Sequence, residues 1–211
     1  MNSRQQTALG PPPGDLSSFP KWRLQPGDSM LRAHSVGRAP WWFSSGLSGR
    51  FDLVSPYGTC YLAVDVTTAL RERFGHSLVE QGVVAFESAA RTRVSRLRVP
   101  AGQWLGNSCH EGAARFGVTR ELGTCADYQL PQSWAAALHR SGLSGIRYQT
   151  RFTTGPRPNA AAVFGDAGQR DWPADDAGMT GVDACADAGI GVAHLPLRRQ
   201  LRIQHPPENR S

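Results

Sequence analysis

The stretch between Gly49 and Gly75 carries the most informative pattern of apolar positions in the chain, and their spacing changes partway through it. Residues 59–64 (TCYLAV) are mainly apolar, β-branched or aromatic, which predicts a short buried strand. Apolar residues then recur at helical spacing, at Ala69, Leu70 and Phe74. Asp65 or Thr67 suits the N-cap of such a helix, and Gly75 suits its end. The stretch therefore predicts a strand that leads directly into a helix.

Shorter patterned segments follow the same two periods along the rest of the chain. Strands with period-two or continuous apolar character are predicted at 29–34, 91–99, 145–152 and 160–164, with a further apolar run at 83–86. Helices are predicted at 110–116 and 131–140, the second opened by Pro131 and ended by Gly142. Strands beside isolated helices, without regular strand–helix alternation, predict an α+β fold.

The two ends of the chain lack this periodicity. Residues 1–27 are rich in Pro, Ser and Gln, and we expect them to form a flexible, disordered arm. Residues 28–165 carry the predicted elements and are expected to form one domain, which 211 residues can support. Residues 166–211 are rich in Asp, Gly and Pro and are expected to be a loop-rich extension. The basic positions of its tail are Arg198, Arg199 and Arg202.

The chain carries a formal net charge of +6, and arginine supplies it, because Lys21 is the single lysine. Arginine binds phosphate through a planar fork of donors, so the charge fits a phosphate-bearing ligand. It fits nucleic acid as well, and a genome biased towards Arg, Ala and Gly would produce it without any function. Charge alone therefore does not select a function.

Cysteine spacing and hydropathy bear on metal binding, on disulfide bonds and on the cellular compartment of the protein. The four cysteines show neither zinc-site spacing nor a disulfide scaffold; they are Cys60, Cys109, Cys125 and Cys185. Cys109, His110 and Cys125 could together supply three metal ligands, but we expect no metal site. No apolar run reaches the ~18 residues of a membrane helix, and no signal-peptide core is present. We therefore expect a cytoplasmic protein.

Common catalytic signatures are absent from the sequence. It contains no G-x-S-x-G elbow, no H-E-x-x-H pair and no G-x-G-x-x-G or Walker loop, so any dinucleotide is not bound in the Rossmann manner. The arginines of Arg91–Arg98 indicate either a solvated strand face or a basic stripe for nucleic acid. The aromatic run Trp41–Phe43 either fills the core or forms a surface on which a flat ring stacks.

Glu72 is an unusual residue on the predicted helix. It lies three residues after Ala69, beside the apolar stripe, so its carboxylate is expected near the packed face. A surface ion pair with Arg71 or Arg73 is one explanation. A carboxylate that serves a binding or catalytic site is the other.

Three motifs in order along the chain resemble those of the RES domain. They are G-R-F-D with Arg50, G-T-C-Y-L-A with Tyr61, and T-A-L-R-E with Glu72. The segments that extend the similarity are LRAH at 31–34 and GIRYQTRF at 145–152. The resemblance covers roughly residues 30–165, and Thr150 stands where the family usually has serine.

The resemblance implies a fold similar to ADP-ribosyltransferase toxins, with a mixed or antiparallel sheet core and a few helices. Members of this family are typically toxins of RES–Xre toxin–antitoxin systems, and they consume NAD. The resemblance thus implies NAD as substrate, no prosthetic group, and an Xre-type antitoxin as a protein partner. Neither a membrane nor nucleic acid is an expected partner of this chain.

The chemistry implied by the resemblance gives each matching residue a role. Glu72 would stabilise the cationic ribose that remains when nicotinamide departs. Arg32 and Arg50 would hold the pyrophosphate, and Tyr61 would contact nicotinamide or ribose. Thr150 would orient Glu72 or the ribose, although its methyl group restricts rotation and crowds the site. Weaker candidates for lining the cleft are Tyr57 and Tyr128.

Several alternatives remain open from the sequence. The favoured function is an NAD glycohydrolase or phosphorylase, which transfers ADP-ribose to water or phosphate. A protein ADP-ribosyltransferase is a close variant, and a non-catalytic basic module that binds nucleic acid or a partner is an alternative of another class. Structurally, Arg32 and Arg50 could instead pair with Asp52 or Glu72, and Tyr61 could be an ordinary core residue.

Overall fold

The computed structural model describes residues 8–154, 159–175 and 178–194 of the chain. Short strands alternate irregularly with helices in these ranges. The strands are β1 (Lys21–Leu24), β2 (Ser29–Ser35), β3 (Trp42–Phe43), β4 (Tyr57–Ala63), β5 (Val84–Ala85), β6 (Thr92–Arg98), β7 (Gln103–Asn107), β8 (Gly145–Tyr148), β9 (Ala160–Asp166), β10 (Gly168–Gln169), β11 (Met179–Thr180) and β12 (Val192–Ala193). The helices are α1 (Val66–Gln81), α2 (Phe86–Ala90), α3 (Glu121–Thr124), α4 (Gln129–Arg140), α5 (Gly181–Asp187) and a 3-10 helix at Glu111–Phe116.

A mixed sheet of eight strands is the centre of the fold, in the order β1-β7-β8-β9-β4-β2-β6-β11. Neighbouring strands are antiparallel except β7 and β8, which are parallel. Two small sheets pair β3 with β10 and β5 with β12. The predicted α+β class with a mixed sheet core is confirmed. The sheet also includes β1 and β11, which lie outside the predicted domain of residues 28–165.

The central strand β9 is buried on both faces. Its residues 160, 162 and 164 pack with Trp134 and Leu138 of α4, whereas residues 161 and 163 pack with Trp41 and Phe43. The two-residue period of a strand divides the side chains in this way, and a continuous apolar run is typical of a strand covered on both faces. Trp41 and Phe43 therefore fill the core.

Strand β4 leads through Asp65 into α1, as the sequence predicts. The Asp65 carboxylate accepts a hydrogen bond of 2.6 Å from the backbone N–H of Thr68, so Asp65 rather than Thr67 is the N-cap. This cap fixes where α1 begins, and the start of α1 decides which residues of the helix face the sheet.

The predicted end of this helix at Gly75 is wrong. Helix α1 continues to Gln81, and Gly82 follows in the left-handed conformation that suits a helix end. Gly75 instead makes room for an aromatic ring, because a Cβ at this position would lie 2.2 Å from the ring of Phe152. The glycine thus serves close packing of the chain that follows β8.

The predicted helix at 131–140 is confirmed as α4, which begins two residues before Pro131. Trp134 and Leu138 are fully buried on its inner face. The predicted strand at 145–152 is shorter in the structure, because β8 ends at Tyr148 and the chain turns after Thr150. Helix α4 and strand β8 together bring this turn beside α1.

The predicted disordered arm at residues 1–27 needs correction for its described part. Leu9, Leu16 and Phe19 are buried, and they pack with Trp134 of α4. The indole N–H of Trp134 donates to the carbonyl of Gly10 over 2.9 Å. Residues 21–24 form the edge strand β1. The Pro-rich segment has no periodic apolar pattern, so its burial depends on tertiary contacts that the sequence does not display.

The predicted loop-rich extension at residues 166–211 also needs correction for its described part. It adds β10, β11, β12 and helix α5, whose N-cap Thr180 accepts a 3.1 Å hydrogen bond from the backbone N–H of Asp183. Ala184 and Cys185 of α5 are buried against α1. The basic positions Arg198, Arg199 and Arg202 lie outside the described residues.

The predicted basic strand at 91–99 is β6, an inner strand of the sheet. Arg96 and Arg98 are exposed, whereas Arg93 is half-buried. Arg96 lies 3.6 Å from the Asp175 carboxylate. Its charge is thus partly neutralised, which favours a solvated strand face over a stripe for nucleic acid.

Candidate functional site

A cavity of about 270 Å³ lies between β2, β4, helix α1 and the turn after β8. Four of the five residues predicted for the site line it, namely Arg32, Arg50, Tyr61 and Glu72. The fifth, Thr150, lines a neighbouring cavity of about 680 Å³. The fold thus brings together residues that lie far apart along the chain.

Glu72 occupies the face of α1 that borders the cavity, together with Ala69, Arg73 and His76. These positions are three, four and seven residues apart, as expected for one side of a helix. The carboxylate is half-buried, and burial raises the pKa of Glu72. None of the ion pairs in the described part of the chain includes Glu72, so the alternative explanation, a surface ion pair with Arg71 or Arg73, is not what the structure shows.

Tyr148 is the direct partner of Glu72. Its hydroxyl donates to Glu72 Oε2 over 3.0 Å, and this hydrogen bond lowers the pKa of Glu72 against the effect of burial. The ring is buried edge-to-face against Phe51, with centroids 4.8 Å apart. Burial, and next the charge of Glu72, holds the pKa of Tyr148 well above its usual value, so the hydroxyl is a donor at neutral pH.

Arg50 is buried in the loop between β3 and β4, at 9% exposure. Its Nη1 donates to the carbonyl of Cys125, and its guanidinium lies 4.7 Å from the ring centroid of Tyr128. The positive charge of Arg50 lowers the pKa of Glu72. Arg50 therefore acts on the carboxylate through the cavity rather than through an ion pair.

Tyr61 presents its ring to the cavity, while its hydroxyl is engaged elsewhere. The hydroxyl donates to Asp52 Oδ1 over 2.9 Å and accepts a 2.8 Å hydrogen bond from the Phe51 backbone N–H. Asp52 is buried and also accepts from the Gly49 backbone N–H over 2.9 Å. Burial raises the pKa of Asp52, whereas these hydrogen bonds lower it. The Tyr61–Asp52 pair thus holds the turn that carries Arg50.

Arg32 extends from β2 towards the chain around β3. Its Nη1 donates to the carbonyls of Pro40 and Trp42 over 2.9 and 2.7 Å, and lies 3.0 Å from Cys60 Sγ. Among the described ion pairs, none joins Arg32 or Arg50 to an acidic residue. The structural alternative of paired arginines is therefore not what the structure shows.

In the described part of the chain no hydrogen bond joins Thr150 to Glu72, so of the two predicted roles, orienting Glu72 or orienting the ribose, the first has no direct hydrogen bond behind it. The hydroxyl of Thr150 is hydrogen-bonded to the hydroxyl of Thr153, and its backbone N–H donates to Asn159 Oδ1 over 3.1 Å. Because β8 ends at Tyr148, the chain has left the strand by Thr150, and the two-residue alternation no longer aims this side chain at α1.

Of the two weaker candidates for lining the cleft, Tyr128 and Tyr57, only the first lines the cavity. Tyr128 lines the cavity beneath Arg50. Tyr57 does not line it; its ring is 41% exposed and lies 4.5 Å from that of His139, centroid to centroid. Tyr57 is therefore not part of the candidate site.

The cavity is strongly positive. Four of its described lining residues are arginines, and the one acidic group is Glu72; the arginines are Arg32, Arg50, Arg73 and Arg151. Such a surface attracts an anionic ligand and orients it towards the single carboxylate.

Two further features, a metal site and a membrane-spanning helix, can be judged within the described ranges. No group of three or more His, Cys, Asp or Glu side chains is arranged to hold a metal ion there. Within the same ranges, no helix is long and apolar enough to cross a membrane.

Two site residues, Tyr148 and Asp52, are missed by the sequence prediction. Both lie inside the motifs that mark the site, Tyr148 in GIRYQT and Asp52 in GRFD. Tyr148 is two residues after Ile146, so the strand period places both on the same buried face. A buried tyrosine requires a hydrogen-bond partner for its hydroxyl, and that requirement could have identified Tyr148.

Comparison with known proteins agrees with this architecture. The model of the RES domain matches residues 22–178 of the chain, a wider range than the sequence motifs suggest. No curated protein matches the sequence. A chain of the crystal structure of the M. tuberculosis MbcT–MbcA toxin–antitoxin complex is similar in structure, with a TM-score of 0.59 over 79% of this chain and 92% of that chain. The two are 11% identical in sequence, so this likeness shows a shared fold.

Proposed function

The chain belongs to the RES domain family, and from this premise we propose that it is an enzyme that consumes NAD by cleaving the bond between nicotinamide and ribose. NAD is the substrate, and the reaction uses no prosthetic group. The observation that carries the proposal is the Glu72 carboxylate, half-buried in a cavity lined by arginines and bound by the Tyr148 hydroxyl.

The reaction needs a stabilised cation. When the bond between ribose C1′ and nicotinamide N1 breaks, its electron pair leaves with neutral nicotinamide, and positive charge spreads over C1′ and the ring oxygen. A carboxylate stabilises this oxocarbenium-like ribose. Glu72 accepts a hydrogen bond from the 2′-hydroxyl, and this bond strengthens as the charge develops. A nucleophilic oxygen then adds to C1′ and gives up its proton.

Glu72 must be ionised to fill this role. Burial raises the pKa of Glu72 and so favours the neutral acid. The hydrogen bond from Tyr148 and the positive charge of Arg50 lower that pKa and favour the carboxylate. Tyr148 and Arg50 are therefore proposed to keep Glu72 charged at neutral pH.

Arg32 and Arg50 are proposed to hold the pyrophosphate of NAD. In the described part of the chain, each uses only its Nη1 atom in hydrogen bonds to protein groups. A guanidinium has further donors on Nε and Nη2, and these suit phosphate oxygens. The ring of Tyr61 is proposed to lie against nicotinamide, since its hydroxyl is already bonded to Asp52.

Thr150 is proposed to position the site rather than to touch the substrate. With Thr153 and Asn159 it stabilises the turn after β8. Asn159 Nδ2 also lies 3.3 Å from the Thr68 hydroxyl of α1, so this group connects the turn to the helix that carries Glu72.

Release of nicotinamide tests the proposal. Purified protein is incubated with NAD, and free nicotinamide is measured by chromatography. We expect release by the wild type and a loss of about 100-fold or more in Glu72→Gln, because removing one preorganised electrostatic group typically has that effect. Glu80→Gln is the matched control on the exposed side of the same helix. Full turnover by Glu72→Gln would refute the role given to this carboxylate.

The acceptor of ADP-ribose decides the reaction class. Water gives ADP-ribose, phosphate gives ADP-ribose with a phosphate on the C1′ that carried nicotinamide, and a protein acceptor gives a modified polypeptide. The three products differ in mass and are separable in one experiment. No nicotinamide release, together with tight and salt-sensitive binding of nucleic acid, would instead favour the non-catalytic module.

We further propose that the protein is the toxin of a toxin–antitoxin pair and that an Xre-type antitoxin blocks the cavity. Support comes from the family and from the shared fold with a chain of the MbcT–MbcA toxin–antitoxin complex. Expression in bacteria is expected to deplete NAD and stop growth. Glu72→Gln should abolish both effects, and Glu80→Gln should retain them. Coexpression of an Xre-type helix-turn-helix protein, where an adjacent reading frame encodes one, should prevent them.

A further inference from the structure

His76 lines the cavity beside Glu72, on the same side of helix α1. The two residues are four positions apart, so their Cβ atoms lie about 5–6 Å from each other. The ring of His76 packs nearly edge-on against that of Phe152, with 5.1 Å between the centroids and 72° between the planes. His76 is otherwise exposed, so it borders both the cavity and the solvent.

Phe152 is itself held in place against α1. Its carbonyl accepts a 3.1 Å hydrogen bond from Arg71 Nη1, and its ring lies so close to Gly75 that a Cβ there would be 2.2 Å from it. The ring of His76 therefore has a defined neighbour at the cavity, although the residue is exposed.

The proposed reaction requires a group that accepts one proton when water is the nucleophile. A water oxygen that adds to C1′ would carry a positive charge unless one of its protons is removed, and a general base within hydrogen-bond reach removes it. Glu72 is engaged with the 2′-hydroxyl in the proposed reaction. A second base beside Glu72 would therefore complete the reaction.

Arginine dominates the charged groups around His76. Those that share the cavity with it are Arg32 on β2, Arg50 before β4, Glu72 and Arg73 on α1, and Arg151 after β8. Glu80 follows four positions after His76, where it is exposed and does not line the cavity. Guanidinium groups stay protonated and have no acceptor atom, so the arginines cannot take up a proton.

The tyrosines of the cavity do not suit this task either. The hydroxyls of Tyr61 and Tyr148 already donate to carboxylates, and burial above all holds the pKa of both well above its usual value. The ring of Tyr128 lies under the guanidinium of Arg50. Among the described lining residues, His76 thus carries the side chain that ordinarily accepts a proton near neutral pH.

We propose that His76 is the general base that takes the proton of the attacking water, and this inference rests on the proposed function. The water oxygen bonds to C1′ as one of its O–H bonds breaks, and the proton passes to an unprotonated nitrogen of the imidazole ring. The imidazolium then gives the proton to solvent from its exposed side. NAD and water thus give ADP-ribose, nicotinamide and one proton.

A general base of this kind acts selectively on the nucleophile. Nicotinamide that adds back to the cation does so through its ring nitrogen, which carries no proton, and so it needs no base. Loss of His76 should therefore slow the capture of the cation by water without slowing its capture by nicotinamide. A role in folding or in binding NAD would change both captures alike.

Competition between water and nicotinamide tests the proposal. The full chain is incubated with NAD and isotopically labelled nicotinamide in a buffer without phosphate, and ADP-ribose and labelled NAD are measured by mass spectrometry. General bases typically contribute about 100-fold or more, so we expect the ratio of labelled NAD to ADP-ribose to rise at least about 10-fold in His76→Gln. His194→Gln is the matched control and should keep the wild-type ratio. His194 is also an exposed histidine whose ring packs on a phenylalanine, Phe86, with 4.3 Å between the centroids, but it does not line the cavity.

Two further measurements follow the proton itself. In the wild type, lowering the pH from about 8 to about 5 should raise the ratio of labelled NAD to ADP-ribose, because a protonated imidazole cannot accept a proton. In His76→Gln the ratio should not depend on pH over this range. Imidazole added to His76→Ala should restore hydrolysis in part.

The inference and the proposed function fail separately. Circular dichroism melting checks that each variant is folded, and if glutamine prevents folding, His76→Ala with and without imidazole decides instead. A folded His76→Gln that releases nicotinamide and keeps the wild-type ratio overturns the inference and retains the proposed function. A folded His76→Gln that no longer releases nicotinamide also overturns it, because the base acts only after the bond to nicotinamide has broken. A wild type that releases no nicotinamide refutes the proposed function, and the inference with it.

Discussion

Two opposing effects act on the carboxylate of Glu72. Partial removal from water favours its neutral form, whereas the hydroxyl of Tyr148 and the charge of Arg50 favour its ionised form. A carboxylate in this balance is less hydrated than a surface glutamate and can therefore interact more strongly with a developing cation. Tyr148 is the residue through which the balance is most easily altered, because it makes the direct hydrogen bond.

Tyr148→Phe should remove that hydrogen bond and little else, since the ring keeps its contact with Phe51. A hydrogen bond to a charged group contributes ~1.5–3 kcal/mol, so we expect nicotinamide release to fall roughly 10-fold or more. The pKa of Glu72 should rise, which shifts the acidic limb of the rate profile to higher pH. The profile of kcat/KM against pH measures this shift. Tyr57→Phe is the control, and an unchanged limb in Tyr148→Phe would contradict the mechanism.

Glu72→Gln should stabilise the protein while it removes activity. The pKa of Glu72 is raised in the folded state, so its contribution to stability is fully present below the unfolded pKa of about 4.3 and is lost as pH rises through the folded pKa. Glutamine does not ionise and avoids this loss. Near neutral pH we expect Tm to rise by roughly 2 °C, equivalent to ~0.5–1 kcal/mol in a domain of this size.

Thermal melts at two pH values measure this difference. Near pH 3.5 the wild type and Glu72→Gln should melt alike, because Glu72 is then protonated in both folded and unfolded states. Glu80→Gln should show no such pH-dependent difference, since Glu80 is exposed. A Glu72→Gln variant no more stable than the wild type at neutral pH would show that burial of the charge is not unfavourable.

The site was predictable from the sequence where short motifs mark it. Arg50, Tyr61 and Glu72 lie within 23 residues of one another and share one cavity. The partner of Glu72 was not identified, because Tyr148 is 76 residues away and the place where β8 ends decides between it and Thr150. Strand ends depend on pairing with neighbouring strands, which the local sequence does not specify.

Local elements were predicted better than those that depend on distant partners. Strand β4 and helix α1 carry their own apolar pattern and the cap Asp65, and both exist. Strand β1 and helix α5 are short and depend on packing against β7 and α1, and both were missed. Gly75 shows the same limit, because its role is to accommodate Phe152 from a distant segment. The sequence therefore suggested that the helix ends at Gly75, whereas packing requires a small residue there inside the helix.

Gly75→Ala tests this packing. Alanine favours a helix interior by ~1 kcal/mol over glycine, so an isolated helix would gain stability. Here the new Cβ would lie 2.2 Å from the ring of Phe152, and overpacking of this kind typically costs about 1–3 kcal/mol. We expect net destabilisation in urea unfolding and a higher KM for NAD, because Phe152 lines the cavity.

Glu80→Ala is the matched control for Gly75→Ala. It also introduces alanine into α1, at an exposed position two turns or less from Gly75. Its stability should stay within about 0.5 kcal/mol of the wild type. If Gly75→Ala were as stable as Glu80→Ala, the predicted overpacking would be wrong, and Phe152 would have to move aside at little cost in free energy.

The complete sheet reaches beyond the part of the chain that the motifs mark. Strand β1 closes one edge and β11 the other, and both lie outside residues 28–165. The family match from 22 to 178 spans more of the sheet than the motifs do. The segment before β1 lies outside both the family match and the motifs. It nevertheless buries apolar side chains against α4, including Leu9, Leu16 and Phe19. It therefore completes the apolar cluster to which Phe51 and Tyr148 of the site also belong.

Phe19→Ala distinguishes a packed segment from a free arm. Phe19 is 2% exposed, and its ring centroid lies 5.1 Å from that of Phe116 and 6.3 Å from that of Trp134. Truncation of a buried phenylalanine costs ~3–5 kcal/mol, so we expect Tm to fall by roughly 6–15 °C. Phe86→Ala, at a 36% exposed position, should cost much less. If the segment were a free arm, Phe19→Ala would leave Tm unchanged. A fall in Tm of the expected size would show that the first described residues unfold together with the domain that holds Glu72.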